Sequence, residues 1–223
     1  MSWPRSSWIL LGVSLFLTIF FVLWTMLVAN EPLLHSIDME IAITFKGLAE
    51  GHHVRRAIMI GLTHTGGVPA MTVLALVGAD WQWRRGDTLL AVGWIAIAAS
   101  GGLTNYTLKK AINRDRPPIE WRDTAVTENN ESYPSGHSMG SMIGYGMLGY
   151  AALPLLRRRW AKIALFTMLA LLVGCIGLSR IYLRAHWFSD VIGGFAIGAA
   201  WLTFWLTWVS CARNRIEAPG QTT

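Results

Sequence analysis

The chain has 223 residues, of which 53% are hydrophobic and 14% charged, with a mean hydropathy of +0.40 and a formal net charge of +6. Ordinary globular domains carry roughly 25% charged residues, so this composition excludes a disordered chain and argues against a water-soluble enzyme. Charge-free stretches at 6–30, 57–79, 88–108, 132–156, 163–179 and 191–212 decide the class. A helix rising about 1.5 Å per residue needs roughly 20 apolar residues to cross a hydrocarbon core of about 30 Å. The expected fold is all-α. It is a six-transmembrane helix bundle with spans near 9–29, 57–79, 88–108, 137–156, 163–181 and 187–211, in a single domain over 1–223.

The first apolar stretch follows Arg5 and ends at Leu27, Val28 and Ala29. It is too long for the apolar part of a signal peptide, and Leu27 is a poor residue at the upstream cleavage position, so it reads as a membrane anchor. Between the first two spans, residues 33–50 set Leu34, Ile37, Ile41, Phe45 and Leu48 at helical spacing among Asp38, Glu40 and Lys46. That pattern predicts a short interfacial helix, which either guards a lateral entrance or simply covers the bundle. In the second span, His64 lies within Thr63-His64-Thr65-Gly66-Gly67 and reads first as a packing histidine hydrogen-bonded inside the bundle, with contact to substrate as the alternative; His52 and His53 read as solvent-facing.

Trp3, Trp8, Trp81, Trp83, Trp160, Trp187 and Trp208 fall near predicted span ends, where an amphipathic indole prefers the headgroup region. Trp24, Trp94, Trp201 and Trp205 lie deeper. Gly136, Gly140 and Gly144 recur every four residues, as do Gly194 and Gly198, a spacing that lets helices pack closely. Cys175 and Cys211 resemble neither half of a disulfide framework nor a metal site. Residues 218–223 read as a frayed tail.

The number of basic residues on the two sides does not by itself set the orientation. The dense group Arg157, Arg158, Arg159 and Lys162 favours the cytoplasmic face for its junction. Both termini are then cytoplasmic, in a multi-pass protein of the plasma (inner) membrane. The positive charge reads as a leaflet signal plus an anion site, with no nucleic-acid surface.

Three polar clusters fall on one side of the membrane when spans are counted. The first is Lys109, Lys110, Asn113, Arg114, Asp115, Arg116 and Pro117 after span three. Lys109 and Arg116 are expected on one face of a helix that extends from span three until Pro117 and Pro118 stop it. The second, Tyr133-Pro134-Ser135-Gly136-His137, reads as the start of span four. Ser135 stands near the cap and Gly136 admits a close backbone approach, so free N–H groups and the positive dipole end can meet an anion. The third joins spans five and six with Arg180, Arg184, His186 and Asp190. His186 and Asp190 are at i and i+4, where a carboxylate can accept one imidazole proton and leave the other nitrogen bare, which makes His186 a candidate nucleophile. Spacing alone does not decide which histidine attacks. Lys110, Arg114 and Arg184 read as membrane-flanking charges, whereas Lys109, Arg116 and Arg180 read as a cationic site.

These clusters resemble the three signatures of the type 2 phosphatidic acid phosphatase (PAP2) family, K-x6-RP, PSGH and SR-x5-H-x3-D. Lys109 to Arg116-Pro117 matches the first, Pro134-Ser135-Gly136-His137 the second, and Ser179-Arg180 through His186 to Asp190 the third. The resemblance implies a bacterial integral membrane lipid phosphatase working by metal-independent double displacement without a cofactor. His186 would attack phosphorus, Asp190 would orient its imidazole, and His137 would protonate the leaving oxygen and then serve as base for water. Lys109, Arg116, Arg180 and the Ser135 and Gly136 N–H groups would bind the phosphoryl oxygens. The implied substrate is a lipid phosphate or isoprenoid diphosphate met among membrane lipids on the extracytoplasmic side; candidates are undecaprenyl diphosphate, phosphatidylglycerol phosphate and phosphatidic acid. No obligatory protein partner is indicated. The alternatives are a lipid phosphotransferase using the same phosphohistidine, a vanadate-dependent haloperoxidase, or a non-enzymatic transporter or lipid-binding protein.

Overall fold

The computed structural model describes residues 5–49 and 51–217. Trp3, Glu50 at the end of the expected interfacial segment, and the tail 218–223 lie outside the described residues. Among the described residues the regular structure is entirely helical: α1 (Arg5–Asn30), α2 (Pro32–Ala49), α3 (His53–Gly66), α4 (Val68–Arg84), α5 (Thr88–Ile112), α6 (Gly136–Ala152), α7 (Arg159–Tyr182) and α8 (Phe188–Glu217). Short 3-10 turns lie at Ile119–Trp121 and Leu153–Leu155.

Helix α8 is the hub, packed against α1 along its length and against α6 and α5 on other faces. The face of α1 turned to it repeats every seven residues as Ser7, Ser14 and Phe21, all buried. Small hydroxyl residues let the two backbones approach, and they bond across the gap. The Ser14 hydroxyl donates to the Ala200 carbonyl at 2.9 Å, and that of Ser7 to the Ser210 hydroxyl at 3.1 Å. The outer side of α1 exposes Trp8, Phe16, Leu23 and other large apolar groups, as a lipid-facing surface requires. On its far side α8 meets α6 through Gly194 and Gly198. A β-carbon at Gly194 would come within 2.6 Å of the Ser135 carbonyl, and one at Gly198 within 2.9 Å of the Met139 carbonyl.

Four helices, α1, α5, α7 and α8, are long and apolar enough to cross a membrane, and the α3–α4 pair makes a fifth when counted as one bent span. The molecule is a multi-pass integral membrane protein. Helix α6 has 17 residues and lies among α4, α5, α7 and α8 with Met139, Ile143 and Met147 in the core.

The stretch expected as one continuous span at 57–79 is two helices bent by 46° at Gly67. Gly67 is extended (φ −72°, ψ 162°), and Pro69 follows in the first turn of α4, where its missing N–H costs nothing but would have interrupted a continuous helix. The described part of segment 33–50, residues 33–49, lies in α2, and its apolar stripe carries a carboxylate, Asp38, that is fully buried.

Candidate active site

The site is assembled from the end of α5, the connection 113–135, the start of α6 and the α7–α8 junction. Helix α5 stops at Ile112 because Asn113 turns into the left-handed region (φ 50°, ψ 47°), which asparagine tolerates. Arg116 therefore sits beyond the helix, and the expected shared helical face with Lys109 does not form. The two cations converge by another route, through the loop that returns toward α6. Lys109 Nζ donates to the carbonyls of Glu131 and Ser132. Arg116 Nε donates to the Asn130 carbonyl at 2.7 Å and its Nη2 to Asn130 Oδ1 at 2.6 Å.

The α7–α8 junction is buried and tightly folded. Arg184 adopts φ 52°, and the N–H groups of Ala185 and His186 both reach the Arg180 carbonyl, at 3.0 and 3.3 Å. His186 precedes α8, so its pairing with Asp190 comes from the turn that starts the helix and not from a helical face. Asp190 Oδ2 accepts the Trp187 N–H at 2.9 Å and faces His186 Nδ1 at 3.3 Å. An ionised carboxylate only accepts, so the proton sits on Nδ1 and the lone pair on Nε2. That Nε2 lies 3.3 Å from Arg116 Nη1, which also donates to the Ala185 carbonyl at 2.7 Å. Burial first, and then the charges of Arg116, Arg180 and Lys109, hold the His186 imidazole well below the ordinary histidine range, so the ring is neutral. Burial and the Arg180 charge also bring Arg116 down to about 10, which leaves it charged at neutral pH.

Arg180, 3% exposed, sends Nη1 to the Thr63 hydroxyl at 2.8 Å and Nη2 to Glu128 Oε1 at 2.5 Å. Its Nε is buried and has no hydrogen-bond partner among the described residues. Ser135 caps α6 through its hydroxyl, 3.4 Å from the Ser138 N–H, and its own N–H is taken by the Asp190 carbonyl at 3.0 Å. Ser135 is thus a support behind the helix start, and its N–H is not open to an anion as expected. Gly136 and His137, one and two residues further on, do line the cavity.

That cavity has a volume of about 740 Å³. Lys109, Arg116, Glu128, His137, Arg180 and His186 surround its polar end, and it continues between α4, α5 and α6 along Met71, Ala75, Trp94, Ile97, Ile143 and Met147. His64 also lines it, is exposed, and its ring has no hydrogen-bond partner among the described residues, so it is not the internally bonded packing histidine expected. No cluster of three or more His, Cys, Asp or Glu side chains suited to a metal occurs among the described residues.

Three residues outside the expected set, Arg114, Asp38 and Ser132, complete the site. Arg114 bridges Asp190 Oδ1 at 2.5 Å and Asp38 Oδ2 at 2.7 Å. Asp38 further accepts the Ser189 N–H at 2.9 Å and the Ser189 hydroxyl at 2.5 Å. The Ser132 hydroxyl donates to Asp190 Oδ2. Arg114 is therefore more than a membrane-flanking charge. Asp38 carried a legible signal, since it shares the 4-3-4 spacing of Leu34, Ile41 and Phe45, and a carboxylate on a buried stripe requires a partner. Arg184 is likewise buried, donating to the Trp121 and Tyr182 carbonyls and bracing the junction; Lys110 remains a surface partner of Glu131.

The chain is similar to several known phosphatases. A curated relative, phosphatidylglycerophosphatase B of Bacillus subtilis (strain 168), is 31% identical over 145 residues, covering 63% of this chain and 68% of the relative. Lipid phosphate phosphatase 2 of Arabidopsis thaliana is 28% identical over 129 residues, 46% of this chain and 44% of its own length. Glucose-6-phosphatase catalytic subunit 1 of Haplochromis nubilus is 26% identical over 141 residues, 53% and 40% respectively, so the chain matches less than half the length of these two. The crystal structure of a transmembrane PAP2-type phosphatidylglycerolphosphate phosphatase from Bacillus subtilis shares the fold, with a TM-score of 0.77 at 23% identity over 94% of this chain and 98% of that one. A family model of the PAP2 superfamily matches residues 88–213, which hold all three signatures, and the chain belongs to that superfamily.

Proposed function

We propose that the protein is a membrane-embedded phosphatase that hydrolyses the terminal phosphate of a lipid phosphate or isoprenoid diphosphate through a phosphohistidine on His186. The observation that carries this reading is the cavity itself. One end gathers Lys109, Arg116, Arg180 and the bare Nε2 of His186, and the other runs between apolar helix faces. A phosphoryl group with a hydrocarbon tail satisfies both ends, and a water-soluble phosphate only one. Two of the relatives are named for lipid phosphates, which supports the same class.

In the proposed reaction His186 Nε2 attacks phosphorus in line with the leaving oxygen, and the P–O bond to the lipid breaks as the P–N bond forms. His137, which lines the same cavity from the first turn of α6, gives that oxygen a proton. Asp190 keeps the Nδ1 proton and stabilises the imidazolium that develops. Water then cleaves the P–N bond, returning a proton to His137 and releasing inorganic phosphate. Lys109, Arg116, Arg180 and the first-turn N–H groups of α6 at Gly136 and His137 stabilise the equatorial oxygens, so the reaction proceeds without a metal ion or cofactor. In this reading the chain crosses the inner membrane six times, with α6 as the fourth crossing and α2 along the interface; the basic group Arg157, Arg158, Arg159 and Lys162 favours the cytoplasm for its junction, which makes both termini cytoplasmic and the cavity mouth extracytoplasmic.

The test is phosphate release by detergent-purified protein from a panel of long-chain phosphatidic acid, phosphatidylglycerol phosphate and undecaprenyl diphosphate, in excess chelator. Turnover of at least one is expected. His186→Ala should lower it by about 10⁴-fold or more while the protein remains folded, because a missing nucleophile removes the whole covalent route. Wild type quenched in alkaline detergent during turnover should carry a phosphoryl group that acid releases. Full activity in His186→Ala, or loss of wild-type activity in chelator, would defeat the reading.

A further inference from the structure

Arg180 presents an anion with one complete edge, the Nε and Nη2 hydrogens that together form a guanidinium fork. Nε has no hydrogen-bond partner among the described residues, and Nη2 is held by Glu128 Oε1 at 2.5 Å. A tetrahedral phosphoryl group taking both meets that carboxylate at Nη2 and competes with it for the guanidinium. Glu128 sits where it can leave. Its stretch is anchored on one side by Asp123, which accepts from the Ala125 N–H at 2.9 Å, and on the other by Asn130, held by Arg116. Between these anchors the Glu128 backbone carbonyl meets only Arg122 Nη1, at 3.5 Å. Burial pushes the Glu128 carboxyl up, but the Arg180 charge, the backbone N–H of Glu128, His137 and Arg116 take it below the ordinary glutamate value, so it is ionised.

We propose that Glu128 is a specificity-determining residue that holds the phosphate edge of Arg180 against the singly charged phosphodiester headgroups of bulk phospholipid and yields it to a terminal phosphate. The proposal rests on the reading of Arg180 as a phosphate ligand. Its logic is one of charge exchange. A phosphodiester brings one negative charge and a terminal monoester nearly two. Replacing a tethered carboxylate by a phosphodiester swaps one charge for one, with no gain against a competitor held at high effective concentration. A terminal phosphate brings the extra charge that Lys109 and Arg116 stand ready to meet. A membrane enzyme bathed in phosphodiesters needs such a discriminator, because three cations alone would bind every headgroup in the leaflet.

The experiment follows phosphate release from a long-chain phosphatidic acid in mixed micelles as phosphatidylmethanol, a singly charged diester that is not a product, is added. Additional non-ionic detergent at the same mole fraction corrects for surface dilution. Glu128→Gln, which keeps the shape and removes the charge, should be inhibited at about tenfold lower phosphatidylmethanol than wild type. Glu128→Asp, charged but one methylene shorter, should fall between them. Glu120→Gln removes the same charge from an exposed turn of the same connection and should match wild type. Equal inhibition of wild type and Glu128→Gln, or an equal rise in Glu120→Gln, overturns the assignment while leaving the phosphatase intact. Absence of turnover by wild type on every phosphomonoester lipid and isoprenoid diphosphate overturns the phosphatase reading and this inference with it.

Discussion

The chemistry of the site turns on the protonation of His186. Its ring is held neutral by burial and by surrounding cations, so between its depressed pKa and the ordinary value near 6.5 the unfolded chain binds a proton that the folded chain refuses. Unfolding stability from this group is therefore complete above about pH 6.5 and declines below it, by up to about 1.4 kcal/mol per pH unit. Thermal unfolding in detergent from pH 7.5 to 5 should show a falling midpoint in wild type and a shallower fall in His186→Asn; parallel curves would mean that the imidazole is charged. The identity of these residues was legible, since Lys109, Arg116, His137, Arg180, His186 and Asp190 all gather where three motifs on one side of the membrane required. Their manner of gathering was not. Asn113 ends α5 before Arg116, and His186 precedes α8, so local backbone turns, invisible to a count of spacings, do the positioning. Arg114 was hidden for a different reason: nothing local distinguishes a membrane-flanking arginine from one that spans Asp38 and Asp190, and Asp38 is 76 residues away in sequence.

At the scale of elements, the four-residue glycine repeat of α8 is both packing device and site support. Gly194 presses on the Ser135 carbonyl, and the Ser135 N–H is bonded to the Asp190 carbonyl, so the start of α6 and the first turn of α8 are positioned together. Gly194→Ala forces its β-carbon against rigid backbone and is expected to cost about 1–3 kcal/mol. It should also lower turnover. Gly174→Ala on α7, where no atom lies within 4 Å of the new carbon, should leave both unchanged. Thermal melts and initial rates on the two variants check this contrast. The glycine spacing was readable in advance; the break between α3 and α4 was readable too, in Gly66-Gly67-Val68-Pro69, but the apolar run through it outweighed the proline. That break brings Gly67 beside the His137 ring, where a β-carbon would lie 3.5 Å from Nε2.

For the molecule as a whole, the polar and apolar ends of one cavity divide recognition between a headgroup and a tail. Ala98 on α5 lines the apolar part. Ala98→Phe should raise KM for long-chain lipid phosphates about tenfold while leaving kcat/KM for a short-chain, water-soluble phosphate within twofold, since only the tail contact is blocked. Equal effects on both would place the tail elsewhere. Membrane class and all-helical architecture followed from composition, because a bilayer permits so few alternatives. Which helix met which could not follow, as seven-residue and four-residue stripes on α1 and α8 specify that a partner exists without naming it.

The three cations of the pocket are carried by separate stretches of chain, Lys109 by α5, Arg116 by the connection after it and Arg180 by α7. Their mutual repulsion opposes the packing of the very segments that folding must hold together, and the loop carbonyls around Lys109 and Arg116, with the Glu128 carboxylate on Arg180, offset only part of it. Occupancy and durability are accordingly linked: orthovanadate or inorganic phosphate at about 100 times its Kd should add about 2.7 kcal/mol of resistance to unfolding. A rising melting point with added oxyanion, absent with chloride at equal ionic strength, would register that relief as heat tolerance.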